Sequence, residues 1–118
     1  MSREFFVAGV KFHQLSSIIN ETTEGDEVDL VPEPTNKFDS NAVQLKINET
    51  VIGYVPKTMS AEISALIETE GIENLSCIII ELNRKAEPWN QCKVRISKLD
   101  EVWPEEEENE EKVEEEEL

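Results

Sequence analysis

Val43, Leu45 and Ile47 alternate with Gln44 and Lys46, and Asn48-Glu49-Thr50 separates them from a second apolar run over 51–55. A period of two is the signature of a half-buried strand and is incompatible with a helix, so the middle of the chain is a β-hairpin. A hairpin hides only one face and needs a second layer to cover it. The flanking sequence supplies that layer. Phe5-Phe6-Val7-Ala8-Gly9-Val10 predicts a strand over 3–12, with Gly9 marking a bulge or a close backbone approach. Val28 and Leu30 alternate with Glu27 and Asp29 in a strand that Pro32 and Pro34 end. Residues 75–82 form a near-continuous apolar strand, and Cys92, Val94 and Ile96 alternate with Gln91, Lys93 and Arg95 in the last one. The link over 83–88 makes these two a second hairpin.

Two segments follow the helical period instead. Met59, Ile63, Leu66 and Ile67 fall at i, i+4, i+7 and i+8, which predicts a helix over 59–70, with Thr58 or Ser60 as its cap and Gly71 as its left-handed C-terminal residue. Leu15, Ile18 and Ile19 predict a short helical turn within 13–20. The expected fold is α+β and mainly β: a small barrel-like arrangement of about six strands with one main helix.

The formal charge of −16 over 118 residues is unevenly placed. Residues 1–99 hold 15 acids and 10 bases, whereas residues 100–118 hold 12 acids against Lys112 alone. From Pro104 onward the chain is almost all Glu, a composition that cannot bury enough apolar surface to order itself. The division expected is a domain over 1–100 and a disordered acidic tail over 101–118. No apolar run approaches the roughly 18 residues of a membrane span, and the N-terminus has no signal-peptide pattern. A soluble, cytoplasmic monomer is therefore expected. Cys77 and Cys92, with His13, are too few for a four-ligand zinc site, and both cysteines are expected as core thiols. Neither a metal nor another cofactor is expected, nor catalysis, since no nucleophile and base stand at a suggestive spacing.

Three segments place residues where packing alone would not. Gly9-Val10-Lys11-Phe12-His13 sets a cation beside an aromatic. Glu33-Pro34-Thr35-Asn36-Lys37-Phe38-Asp39-Ser40-Asn41-Ala42 is a loop holding an aromatic beside an acid. Ile52-Gly53-Tyr54-Val55-Pro56-Lys57 ends the hairpin on a lysine. In this order the three resemble the motifs of the HIRAN domain family, over roughly residues 4–70. The resemblance implies a modified oligonucleotide-binding β-barrel that captures the 3′ end of single-stranded DNA, in members that serve Swi/Snf-type translocases at stalled replication forks. Carried over, Phe12 and Phe38 would stack on or flank terminal nucleotides, Asp39 would accept a hydrogen bond from the 3′-hydroxyl, Lys11 and Lys57 would meet phosphates, and Tyr54 would line the pocket. Asn36 and Asn41 would hold the loop's shape.

The chain departs from the pattern in carrying Lys11 where arginine is usual and Phe12 and Phe38 where tyrosines are usual. A guanidinium fork thus becomes a point charge, and stacking is kept without two hydroxyls. The implied role is non-catalytic, in DNA repair or fork processing, with a separate helicase or translocase as the motor. Taken from the residues alone, Phe12 and Phe38 fit a core as well as a stacking platform, and Asp39 fits an Asx turn as well as a hydroxyl acceptor. The competing function is a protein-interaction adaptor that works through the acidic tail without DNA.

Overall fold

The structure, a computed structural model, describes residues 2–99; the boundary at 100 and the acidic tail over 101–118 lie outside the described residues. Six strands form two antiparallel sheets of three. The first is built from β1 (Ser2–Phe6), β5 (Leu75–Leu82) and β6 (Cys92–Lys98), in the order β1-β6-β5. The second is built from β2 (Asp29–Pro32), β3 (Val43–Ile47) and β4 (Thr50–Tyr54), in sequence order. The sheets are not closed into one continuous barrel. They meet at two isolated bridges, Ala8 with Tyr54 and Glu27 with Ile78.

The inward faces share a single core that includes Phe5, Leu45, Ile52, Ile63, Ile79 and Ile96. Cys77 and Cys92 lie in it as free thiols, and burial pushes both up to about 12. Pro32, which cannot donate to a ladder, falls at the end of the edge strand β2, where the missing N–H costs least.

The central hairpin turns on Asn48 and Glu49, both at positive φ, and Ile47 pairs with Thr50 across them. This is a two-residue turn of the kind whose twist matches that of the strands, so β4 starts at Thr50. A bulge then changes what β4 presents. Leu45 pairs with Gly53 but Lys46 pairs with Val51, leaving Ile52 as the extra residue. Simple alternation would put Tyr54 on the same face as buried Ile52. The bulge reverses the phase, so Tyr54 stands opposite Gln44 on the polar face instead.

The strand expected over 3–12 ends at Phe6. Gly9 adopts a left-handed conformation (φ 72°, ψ 16°), and Val10–Phe12 coil into a 3-10 turn, which takes Lys11 and Phe12 out of the sheet. Val7 N–H still donates to the Cys92 carbonyl of β6 at 2.8 Å; past it the chain pairs with β4, where Ala8 N–H donates to the Tyr54 carbonyl at 2.8 Å and Tyr54 N–H returns the bond at 2.9 Å. The close approach that Gly9 suggested belongs to Gly53. A methyl group there would overlap the Ala8 carbonyl oxygen and lie 2.5 Å from Val7 Cγ1.

The short helical turn splits into α1 (Leu15–Ile18) and a 3-10 turn over Ile19–Glu21. The main helix, α2 (Lys57–Glu70), begins two residues before the expected start and has Pro56 at its N-cap. Neither Thr58 nor Ser60 caps it, because both already lie inside the first turns. Gly71 ends it at positive φ but with extended ψ (88°, 132°). Ion pairs from Arg3 to Glu62 and from Lys98 to Glu70 tie α2 to the first sheet. No described helix is long and apolar enough to cross a membrane.

A side chain at position 53 has no space without moving the Ala8 strand. Gly53→Ala is therefore expected to destabilise the protein by about 2–3 kcal/mol, in the range of overpacked sites, measured as a lower urea midpoint at unchanged slope.

Candidate nucleic-acid interface

The loop over 33–42 is shaped by one asparagine. Asn36 Oδ1 accepts from the backbone N–H of Phe38 at 2.8 Å and of Asp39 at 3.1 Å, and its Nδ2 donates to Glu33 Oε1 at 3.0 Å. Backbone bonds close the loop from both sides: Glu33 N–H to the Ala42 carbonyl, Asn36 N–H to Glu33, and Ala42 N–H to Asp39. The Phe38 ring is left 88% exposed, so it is not a core aromatic.

Asp39 uses both carboxylate oxygens. Oδ1 accepts from Asn41 N–H at 2.9 Å, an Asx turn, and Oδ2 accepts from the Ser60 hydroxyl at 2.7 Å. The second bond brings the carboxylate against the first turns of α2, whose free N–H groups favour negative charge. The Ser60 hydroxyl, then the Asn41 N–H, hold the Asp39 carboxyl below the ordinary carboxylate range, outweighing burial, with nearby Lys57 as the least of the causes. It is an anion at neutral pH and can only accept.

Tyr54 forms the opposite wall. Its phenol donates to Glu33 Oε1 at 2.7 Å and accepts from Gln44 Nε2 at 3.3 Å. Burial, followed by the bond to Glu33, raises its pKa, so the phenol stays protonated. Glu33 therefore joins the two walls, accepting from Tyr54 on one and from Asn36 on the other. The ring of His13 lies against Tyr54, with centroids 5.5 Å apart at 51°.

Phe38, Asp39, Tyr54 and Lys57 line one open pocket of about 460 Å³, floored by Ala8, Gly9, Ala42 and Val55. Lys11 and Phe12 do not line it. They belong to an adjoining groove of about 180 Å³ with Val10, Pro88 and Trp89, and Gly9 lines both. Phe12 is 76% exposed with the Lys11 ammonium 5.2 Å from its ring centre, and Trp89 is 62% exposed. The six residues singled out in the sequence thus fall four in one pocket and two in its neighbour.

Three participants escape sequence reasoning. Trp89 sits on a 3-10 turn (Pro88–Asn90) in the β5–β6 connection, where a large aromatic in a polar turn was the available signal. Ser60 reads as a helix cap, and nothing in one dimension connects it with Asp39. Glu33 lies inside the quoted loop segment, but its partner Tyr54 is 21 residues away. Among the described residues, no cluster of three His, Cys, Asp or Glu side chains is placed to hold a metal.

The Asn36 side chain makes three hydrogen bonds, so Asn36→Ala is expected to cost about 1–2 kcal/mol and to loosen the amides of residues 37–41 in hydrogen exchange. Because the folded-state pKa of Asp39 is depressed, its contribution to stability is present above the unfolded value and lost as pH falls through the folded one. In thermal unfolding, wild type and Asp39→Ala should differ at neutral pH and converge in acid.

Comparison with known proteins places this architecture. The chain is similar in structure to the crystal structure of the HIRAN domain of human HLTF, with a TM-score of 0.54 and 15% identity, covering 80% of this chain and 70% of that one. It is also similar to a protein from Lactobacillus plantarum, with a TM-score of 0.67 and 16% identity, covering 81% and 95% respectively. No curated protein matches the chain. The HIRAN domain family model matches residues 2–102, which include every described residue, and the protein belongs to the HIRAN family.

Proposed function

We propose that this protein is a non-catalytic binder of single-stranded DNA that holds the strand by its 3′ end. HIRAN domains are known to bind DNA, and the family match spans residues 2–102. The observation that carries the finer reading is Asp39: an ionised, acceptor-only carboxylate in an open pocket between an exposed aromatic and a lysine. In a groove that tracks phosphates, a carboxylate repels an internal phosphodiester, which brings no hydrogen to donate. A free terminal hydroxyl does bring one, and charge-assisted bonds of this kind are among the stronger ones.

The remaining residues fit a short grip on the strand's last nucleotides. Phe38 in the pocket, and Phe12 with Trp89 in the groove beside it, offer flat faces on which bases stack for about 1–3 kcal/mol each, without regard to sequence. Lys57 and Lys11 stand beside those faces as phosphate partners. With two or three phosphates neutralised, the slope of log affinity against log salt should be shallow, about −0.7 per phosphate. That is how a domain with more acids than bases can hold a polyanion. On this reading a separate helicase or translocase supplies any motor, in repair or fork processing.

Anisotropy titration of a short labelled strand, with its 3′ end free or phosphorylated, tests the reading. Wild type should prefer the free hydroxyl by about tenfold, the worth of one hydrogen bond to a charged group, and Asp39→Ala should remove the preference. Equal binding of both ends would refute end capture. No binding of either, with residues 104–118 deleted and at low salt, would favour the adaptor reading.

A further inference from the structure

We propose that Ser60 is a positioning residue that aims the Asp39 carboxylate at the terminal hydroxyl, so that the end sensor spans the 33–42 loop and α2. This rests on the reading of Asp39 as the hydroxyl's acceptor.

Ser60 is 97% buried, in a part of α2 otherwise covered by apolar residues such as Ile63 (Ser60 is 3% exposed). A hydroxyl in such a place needs a partner, and Ser60 has two within reach: Asp39 Oδ2 at 2.7 Å and the Lys57 carbonyl at 3.0 Å. It has one proton to give. The Lys57 bond is the usual local option for a helical serine, whereas the Asp39 bond crosses 21 residues of sequence and is shorter and charge-assisted. Loop geometry alone does not fix the carboxylate. The Asn41 N–H holds Oδ1 and leaves the group free to turn about that contact, and Ser60 removes this freedom by holding Oδ2 from a rigid helix.

Each carboxylate oxygen has two lone pairs, so one acceptor position remains on each after these two donors. Their directions are set jointly by the loop, through Asn41 N–H, and by a helix of 14 residues, through Ser60. A preset acceptor spares the ordering cost that a mobile one incurs when ligand arrives. A merely structural Ser60 would affect all DNA alike. A positioning Ser60 affects the distinction between a hydroxyl and a phosphate at the end, and it affects how that distinction responds to pH.

The test compares full-length wild type, Ser60→Ala and Ser60→Cys on strands ending in a 3′-hydroxyl or a 3′-phosphate, with the Asp39 carboxyl followed by carbon NMR through an acid titration. The expected result for Ser60→Ala is a loss of about 5–10-fold in preference for the hydroxyl, from binding of the hydroxyl strand alone, with Asp39 titrating at higher pH than in wild type. Preference should then fail at a higher pH as acid is added. Ser60→Cys keeps the volume with a weaker donor and should fall between, and it carries the comparison if the alanine variant loses its fold. A wild type that distinguishes the ends beside variants that do so equally well overturns the role of Ser60 alone. A wild type that does not distinguish them overturns both this role and end capture.

Discussion

The site depends on a seam two residues long. Ala8 and Tyr54 exchange backbone hydrogen bonds at 2.8 and 2.9 Å and join two sheets that are otherwise separate along this side. The approach is possible because residue 53 has no side chain to hold the Ala8 strand away. From the seam the chain departs in two directions. After Ala8, Gly9 turns into the left-handed region and sends Lys11 and Phe12 outward, and after Tyr54, Val55 and Pro56 lead directly into α2. The pocket is the space between these departures, roofed by the 33–42 loop. The opposite junction, Glu27 with Ile78, is backed by Val28 N–H to Cys77 and Ile79 N–H to Asp26, and the cavity beside it, about 240 Å³ between residues 28–30 and Ile72, Leu75 and Cys77, holds none of the residues of the three motifs.

Charge is distributed consistently with that geometry. The cations of the first sheet and its surroundings are spent in ion pairs: Arg95 and Lys93 with Glu4, Arg3 with Glu62, Lys98 with Glu70. Among the described residues, Lys11, Lys37 and Lys57 form no ion pair, and neither do Lys46, Arg84 and Lys85. Of these, Lys57 opens α2 and lines the pocket, Lys11 lies in the 3-10 turn after Gly9 beside the adjoining groove, and Lys37 lies on the 33–42 loop. These exposed pairs add little to stability, since surface ion pairs contribute about 0–1 kcal/mol.

Most of the elements were legible because burial imposes a period. The central hairpin, β6 and α2 each carry an apolar stripe long enough to tell a period of 2 from one of 3.6, β5 is a near-continuous apolar run, and each appears within two residues of its expected bounds. What was not legible arises where the period breaks. The first strand reads as continuous from 3 to 12 because Val7 and Val10 are both apolar and both buried, yet one lies in extended chain and the other in a 3-10 turn. The bulge at Ile52 leaves no trace in composition, and it alone decides whether Tyr54 faces core or pocket. Likewise the loop residues Phe38 and Asp39 were conspicuous as residue types, but the Ser60 bond that orients the acid joins two segments that no periodicity relates. The resemblance to HIRAN motifs supplied what periodicity lacked, since it marks positions by pattern rather than by burial.

The two readings of Asp39 that the sequence left open are not alternatives. An Asx turn needs one acceptor position, and the structure assigns it to Oδ1 through Asn41 N–H. Anchoring to α2 needs a second, which Oδ2 supplies to Ser60. A carboxylate has about four, so two remain for a ligand. On the proposed reading of Asp39 as an acceptor for the terminal hydroxyl, the structural bonds also suit it to that role. Each donor lowers the pKa and so keeps the group ionised, and each fixes an oxygen in space. A serine or asparagine in its place could close the same turn, but it would also offer a donor and would therefore tolerate a terminal phosphate. Discrimination against phosphate requires a group that repels it, and an anchored carboxylate does so at no cost to the loop it organises.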